Sequence, residues 1–336
     1  MNRLKEEKLQ IFKESQIKRF LFEKERKREM KEKIKKVPLP VCGLMLGLAA
    51  LGNLLQSYSE GIRYLCGILA AVLLVLMLLK LMIFPQMIKE DMKNPIMASV
   101  SGTFPMALML LSTYVKPFIG QGAYYIWLFA IALHIILIVY FTVKFIFKLQ
   151  LPKVFASYFI VYVGIVVASV TAPVYEKTNI GTVAFWFGFV TLILLMVLVT
   201  CRYIKVKEVP EPARPLLCIY AAPTSLCIAG YIQSVTPKSY EFILLMLVIA
   251  TAIYIFALIK AAGYLKLPFY PSYAAFTFPF VISAIASKQT MACAANMGRA
   301  LPFLKYVVLI ETIIAVVMVA YTFIRYMGFI FGGKKG

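Results

Sequence analysis

The triplet Thr-Phe-Pro occurs twice, at Thr103-Phe104-Pro105 and at Thr277-Phe278-Pro279, far apart in the chain. Each copy sets a hydroxyl, a phenyl ring and a residue without a backbone N–H side by side in an apolar run. Proline leaves a carbonyl of the preceding turn without its partner. In hydrocarbon such a carbonyl is tolerated only where it meets protein or water. The chemistry on offer is therefore passage of a solute past small polar groups rather than bond making. The ring has two uses. It can swing into a narrow lumen and exclude water, or it can pack into the groove that the kink opens.

Other hydroxyls stand near such breaks, among them Thr224 and Ser283. With Thr103 and Thr277 they are the expected pore-lining residues. The central stretches of these runs contain no Asp or Glu. A cation path usually shows acidic side chains or organised carbonyls, and a proton-coupled carrier usually shows an intramembrane carboxylate or His. Hydroxyls with basic flanks and no fixed negative charge favour small anions. Glu311, within two turns of Lys305, reads as an interfacial or paired carboxylate, with a proton site as the alternative. His134, the single His, reads as a packed neutral imidazole. The six Cys show no CxxC pair and read as apolar packing residues. No cluster forms a credible catalytic or metal site, so neither an enzyme nor a cofactor is expected.

These residues sit on a repeating frame. Pro38, Pro95, Pro152, Pro210 and Pro268 recur along the chain at intervals of 57, 57, 58 and 58. Deeper in the same runs, Gly47, Pro105, Gly164, Pro223 and Pro279 follow at 58, 59, 59 and 56 and are expected to be pore-helix kinks. The two Thr-Phe-Pro triplets are thus three repeats apart. Ten apolar runs cover roughly 38–57, 61–86, 94–116, 121–147, 153–173, 181–203, 213–234, 239–262, 269–288 and 301–327. Each reaches across a hydrocarbon core of about 30 Å as a helix. The expected fold is an all-α integral membrane protein of ten helices. Five parallel-repeat hairpins would place the broken odd helices in a quasi-five-fold ring around a central pore, with the straighter even helices outside.

The 336 residues are 62% hydrophobic, with a formal net charge of +21. In a soluble chain that charge would point to nucleic acid, but here it follows the positive-inside bias. With the N-terminus inside, 29 Lys/Arg fall on inner segments and 7 on outer ones. Both termini are then cytoplasmic, around a multi-pass domain in the plasma (inner) membrane. Residues 1–36, with fourteen Lys/Arg and seven Glu, read as a basic cytoplasmic tail. Its apolar positions, among them Leu9, Phe12, Ile17, Phe20 and Leu21, have a loose helical spacing that would also let it lie on lipid headgroups. Residues 37–327 are the pore domain and 328–336 a short cytoplasmic end. No apolar leader follows the charged start, so the first spanning helix is expected to direct insertion.

Three segments carry a family likeness: PLPVCGLMLGLAALGNLLQ at 38–56, NPIMASVSGTFPMALMLLSTY at 94–114 and SYAAFTFPFVISAIAS at 272–287. By their order and spacing the chain resembles the tellurite-resistance/dicarboxylate transporter family, TehA-like proteins that include the plant slow-type anion channels, over about residues 37–327. The resemblance implies ten helices around a pore in each subunit of a homotrimer. It also implies that the Phe before the proline of the ninth helix occludes the pore, here Phe278. Phe104 matches no family gate and stays a secondary candidate. The chain departs from the family in its long basic tail and in Cys42 and Met45 within the glycine-rich first run. The expected function is an anion channel or passive transporter for chloride, nitrate or small organic acids. The alternative is a coupled exporter of dicarboxylates or of oxyanions such as tellurite.

Overall fold

Long apolar runs in a lipid solvent must satisfy their backbone groups internally, and the helix does so within one segment. The structure, a computed structural model, describes residues 2–332, with side chains at residue 16 and from residue 19 onward. Residues 333–336 of the expected C-terminal segment, and the side chains of Leu9, Phe12 and Ile17, lie outside the described residues. Among the described residues all regular structure is helical.

The charged helix α1 (Asn2–Lys36) leads into α2 (Val41–Leu55) and α3 (Glu60–Ile83). After the short α4 (Pro85–Asp91) come α5 (Pro95–Val100), α6 (Thr103–Ile119) and α7 (Gln121–Phe141). The next run is broken into α8 (Tyr158–Tyr162) and α9 (Val167–Thr171), with tight 3-10 turns at Gly164–Val166 and Ala172–Tyr175. Then follow α10 (Thr178–Lys205), a 3-10 stretch Glu211–Tyr220 that continues as α11 (Ala221–Ser234), and α12 (Tyr240–Tyr264). A second 3-10 stretch, Pro271–Phe276, precedes α13 (Phe278–Asn296) and α14 (Leu304–Phe331).

Among the described residues, seven stretches are long and apolar enough to cross a membrane. An eighth is Arg19–Lys36 with Val41–Leu55, bent by 82°. Three of the ten sequence runs are absent as continuous spans, for local reasons. α2 has 15 residues, about 22 Å at helical rise. The fifth run is broken at Gly164. The ninth is split at Thr277, and α13 carries Ser283, Ser287, Lys288, Gln289 and Thr290.

The helices fall into two populations. In α3, α7, α10, α12 and α14 only 28–39% of the apolar span is buried. Their exposed faces carry Ile68, Phe129, Leu194, Val248 and Ile313, a surface that needs lipid rather than water. By contrast 78% of Pro95–Ile119 and 94% of Glu211–Ser234 are buried, as is all of α2 except Asn53 and Leu55. α2 packs on α6, α6 on α9, α9 on α11, α11 on α13, and α13 back on α2. Each of these has an exposed helix behind it: α3 on α2, α7 on α6, α10 on α9, α12 on α11 and α14 on α13.

The sequence period reappears as contacts. Ser99 and Ser157 hydroxyls lie 2.7 Å apart, those of Ser225 and Ser283 3.1 Å apart, and each pair is separated by 58 residues. Thr142 meets Tyr162 at 2.7 Å, and Thr200 meets Tyr220 at 3.1 Å. The second pair is the first moved along by one repeat.

Four of the five expected kinks lie at helix breaks, but the prolines start helices rather than bend them. Pro279 is the second residue of α13 and Pro223 the third of α11. Pro105 is the third of α6, just after the break at Ser101 and Gly102. In a first turn the missing N–H would have had no partner anyway. Gly47 differs from the expectation, because α2 runs unbroken through it. A Cβ there would stand 2.5 Å from Thr277 Cβ and 3.1 Å from Phe278 N. Glycine at 47 allows a close helix approach instead of a kink.

Candidate functional site

The five buried helices enclose two cavities. The first, of about 270 Å³, lies among the starts of these helices. Gly43, Leu46, Val100, Met106, Phe159, Ile219, Ala222 and Pro223 line it, and Asn94, Thr103, Tyr270 and Ser272 are its few polar residues. No charged residue lines it. The second, of about 560 Å³, lies toward the other ends of the same helices. Its lining includes Asn53, Gln56, Thr113, Thr171, Gln233 and Gln289, together with two cations, Arg63 and Lys288, and no carboxylate. Two residues belong to both linings, Leu226 and Phe278.

Phe278 is the first residue of α13 and is 6% exposed; Leu226, on α11, is 2% exposed. The break before Phe278 is held by Thr277, whose hydroxyl lies 2.7 Å from the Ala274 carbonyl and 3.0 Å from that of Gly43 on α2. The ring is thus the first side chain after a break pinned to the neighbouring helix. Ser283, one turn further along α13, reaches the Pro279 carbonyl at 2.9 Å as well as Ser225.

Lys288 is held by neutral groups, and Arg63 by a neutral amide, an aromatic ring and one exposed carboxylate. Lys288 Nζ donates to the Leu54 carbonyl at 2.9 Å and to Ser57 Oγ at 2.5 Å. Arg63 Nε donates to Asn53 Oδ1 at 3.3 Å, and its guanidinium lies 4.7 Å from the centre of the Tyr114 ring. The Glu60 carboxylate stands 3.6 Å from Arg63 but is more than half exposed to the outside. The cavity therefore keeps a positive lining in a low-dielectric wall, where a charge reaches further than in bulk water.

The residues expected from sequence divide between cavity and scaffold. Phe278, Thr103, Gly164, Pro223 and Pro279 line the first cavity. Gly47, Pro105, Thr224, Thr277, Ser283 and Phe104 line neither. The Thr224 hydroxyl is buried without a partner among the described residues, and Phe104 is half-buried on α6. Sequence reasoning missed Leu226, which is an ordinary apolar residue there. It counted Arg63 and Lys288 only toward orientation. A cation at the end of an apolar run was the available signal.

Glu311 is buried, and, against the expected pairing, among the described residues no ion pair includes it. His134 is buried, with Nε2 2.9 Å from the Val161 carbonyl. Among the described residues no group of three or more His, Cys, Asp or Glu is placed to hold a metal.

The family model described as voltage-dependent anion channel, SLAC1, matches residues 36–327. The chain belongs to the SLAC1 family. A comparison with curated proteins finds no match. The SLAC1 match starts at the last residue of α1 and ends within α14, so it contains both cavities in full. SLAC1-family proteins are membrane-embedded anion channels and transporters. In this SLAC1-family chain the linings of the cationic cavity and the apolar one share one aromatic and one aliphatic residue, Phe278 and Leu226.

Proposed function

We propose that this chain is a passive anion channel closed at Phe278. The observation that carries the reading is the pair of cavities sharing only Leu226 and Phe278 in their linings, one of them bearing Arg63 and Lys288 without a carboxylate. An anion reaching that contact must shed water against a phenyl ring and an isobutyl group. Such a constriction blocks by excluding water, with no charge needed. Displacing the ring joins the two cavities.

The cyclic packing of α2, α6, α9, α11 and α13 supports reading the chain as ten crossings in a quasi-five-fold ring around one pore. The short and broken inner helices then cross together with their 3-10 extensions. The Lys/Arg bias puts both termini and the first cavity on the cytoplasmic side of the plasma membrane, and the cationic cavity on the outer side. The subunit assembles as a homotrimer with a pore in each copy. The permeant ions are chloride, nitrate and small organic anions. Coupled export of dicarboxylates or tellurite is the rival. It would show saturating flux and counterflow instead of unitary currents.

Planar-bilayer recording in a potassium chloride gradient tests the proposal. The expected reversal potential lies toward that of chloride. A reversal toward potassium, or no unitary current from folded Phe278→Ala protein, overturns it.

A further inference from the structure

α13 carries more than the gate. Ile282, Ile285, Lys288 and Gln289 face the second cavity. Ser287 and Thr290 on the same helix are buried away from it, and α13 packs there against α14, which carries Glu311. Glu311 is 4% exposed. Its Oε2 has no hydrogen-bond partner among the described residues, and the same holds for the hydroxyls of Thr290, Thr312 and Tyr254. A carboxyl thus stands between an inner and an outer helix with neutral groups around it and no cation paired to it. Ionisable residues placed this way in membrane proteins are rare and as a rule functional.

The other titratable groups near α14 lie elsewhere. Tyr254, from α12, is the one that faces Glu311. Lys288 is engaged with Leu54 and Ser57. Lys305, on α14 itself, stands over the Tyr306 ring. Cys42 of α2 lies near Tyr326, and Tyr273 lies near Tyr321 and Arg325. Tyr321, Arg325 and Tyr326 are about 15 Å or more along the helix from Glu311, and Lys305 about 9 Å. α1 joins α2 at the end opposite Leu54 and Lys288. Glu60, beside Arg63, is more than half exposed. Behind α13, on the buried side of the cationic cavity, a proton on Glu311 is the change of charge available.

We propose that Glu311 is a proton-binding site linked to anion occupancy of the Arg63–Lys288 cavity. The proton comes from bulk water and returns to it. Its binding removes a negative charge standing one helix behind the anion, and so strengthens anion binding. The inference rests on reading that cavity as the anion path. Linkage is reciprocal, so a bound anion strengthens proton binding by the same factor.

Infrared difference spectra of reconstituted wild-type protein against Glu311→Gln isolate the protonated carboxyl band. The band is titrated in potassium nitrate and again with a large impermeant anion in its place. Nitrate is expected to move the midpoint to higher pH; a tenfold linkage corresponds to about one pH unit. Superimposable titrations overturn the proposal. In bilayers, wild-type anion current is expected to grow as pH falls on the Arg63 side, and the Glu311→Gln current to be flat. Ser287→Ala, which keeps the carboxyl, should retain the pH response with a shifted midpoint. An equal pH response in wild type and Glu311→Gln overturns the proposal. A nitrate-dependent titration without any current would sink the channel reading and leave the linked site standing.

Discussion

Phe278 on α13 and Leu226 on α11 are the two residues that line both of the cavities among the inner helices. They come from neighbouring inner helices that are tied by the Ser225–Ser283 contact. A hydroxyl pair therefore sets the register of an apolar closure.

If that closure blocks by volume, Phe278→Ala raises anion current by about tenfold or more, the factor that about 1.4 kcal/mol off a barrier produces. Leu226→Ala gives a smaller rise. The double variant falls short of the product, since both side chains close one constriction. Single-channel recording checks this, and an unchanged current from well-folded Phe278→Ala would remove the gate assignment.

The cations of the second cavity act through their field. Lys288→Gln and Arg63→Gln each lower current severalfold at low salt, and the loss shrinks near 1 M salt, where the screening length is about 3 Å. Conductance measured across a salt series reads this directly. A deficit that stays constant with salt would mean that the side chains only shape the wall.

The apolar first cavity penalises ions that hold water tightly. Permeability is expected to fall from nitrate to chloride to sulfate, as measured by reversal potentials in mixed gradients. Sulfate passing as readily as nitrate would contradict an apolar passage and favour a carrier with a dedicated site.

Gly47→Ala drives a methyl group into Thr277. Overpacking of this kind costs about 1–3 kcal/mol, seen as a lower melting temperature in detergent. Because Thr277 pins the break before Phe278, the gating equilibrium should move as well. Gly263→Ala on α12 meets nothing within 4 Å and is expected to be neutral or to stabilise by up to about 1 kcal/mol. Equal melting temperatures for the two variants would argue against tight α2–α13 packing.

The sequence by itself determined the helical membrane class, the repeat and which residues are equivalent. Apolar length and proline spacing are one-dimensional signals. The repeat places Ser99 beside Ser157 and Ser225 beside Ser283 once copies pack side by side. The Thr-Phe-Pro spacing left Phe278 and Phe104 equivalent, and the family resemblance singled out Phe278; in the structure Phe278 lines both inner cavities and Phe104 neither. The tertiary structure alone decided which way side chains face. It turned Gly47 from a kink into a seat for Thr277, which lies far along the chain. It also set Arg63, from early in the chain, and Lys288, from late in it, in the wall of one cavity. Glu311, expected to be interfacial or paired, is buried and in no ion pair among the described residues, for the same reason. The rotation of a helix about its axis is fixed by its neighbours, and no spacing along the chain records it.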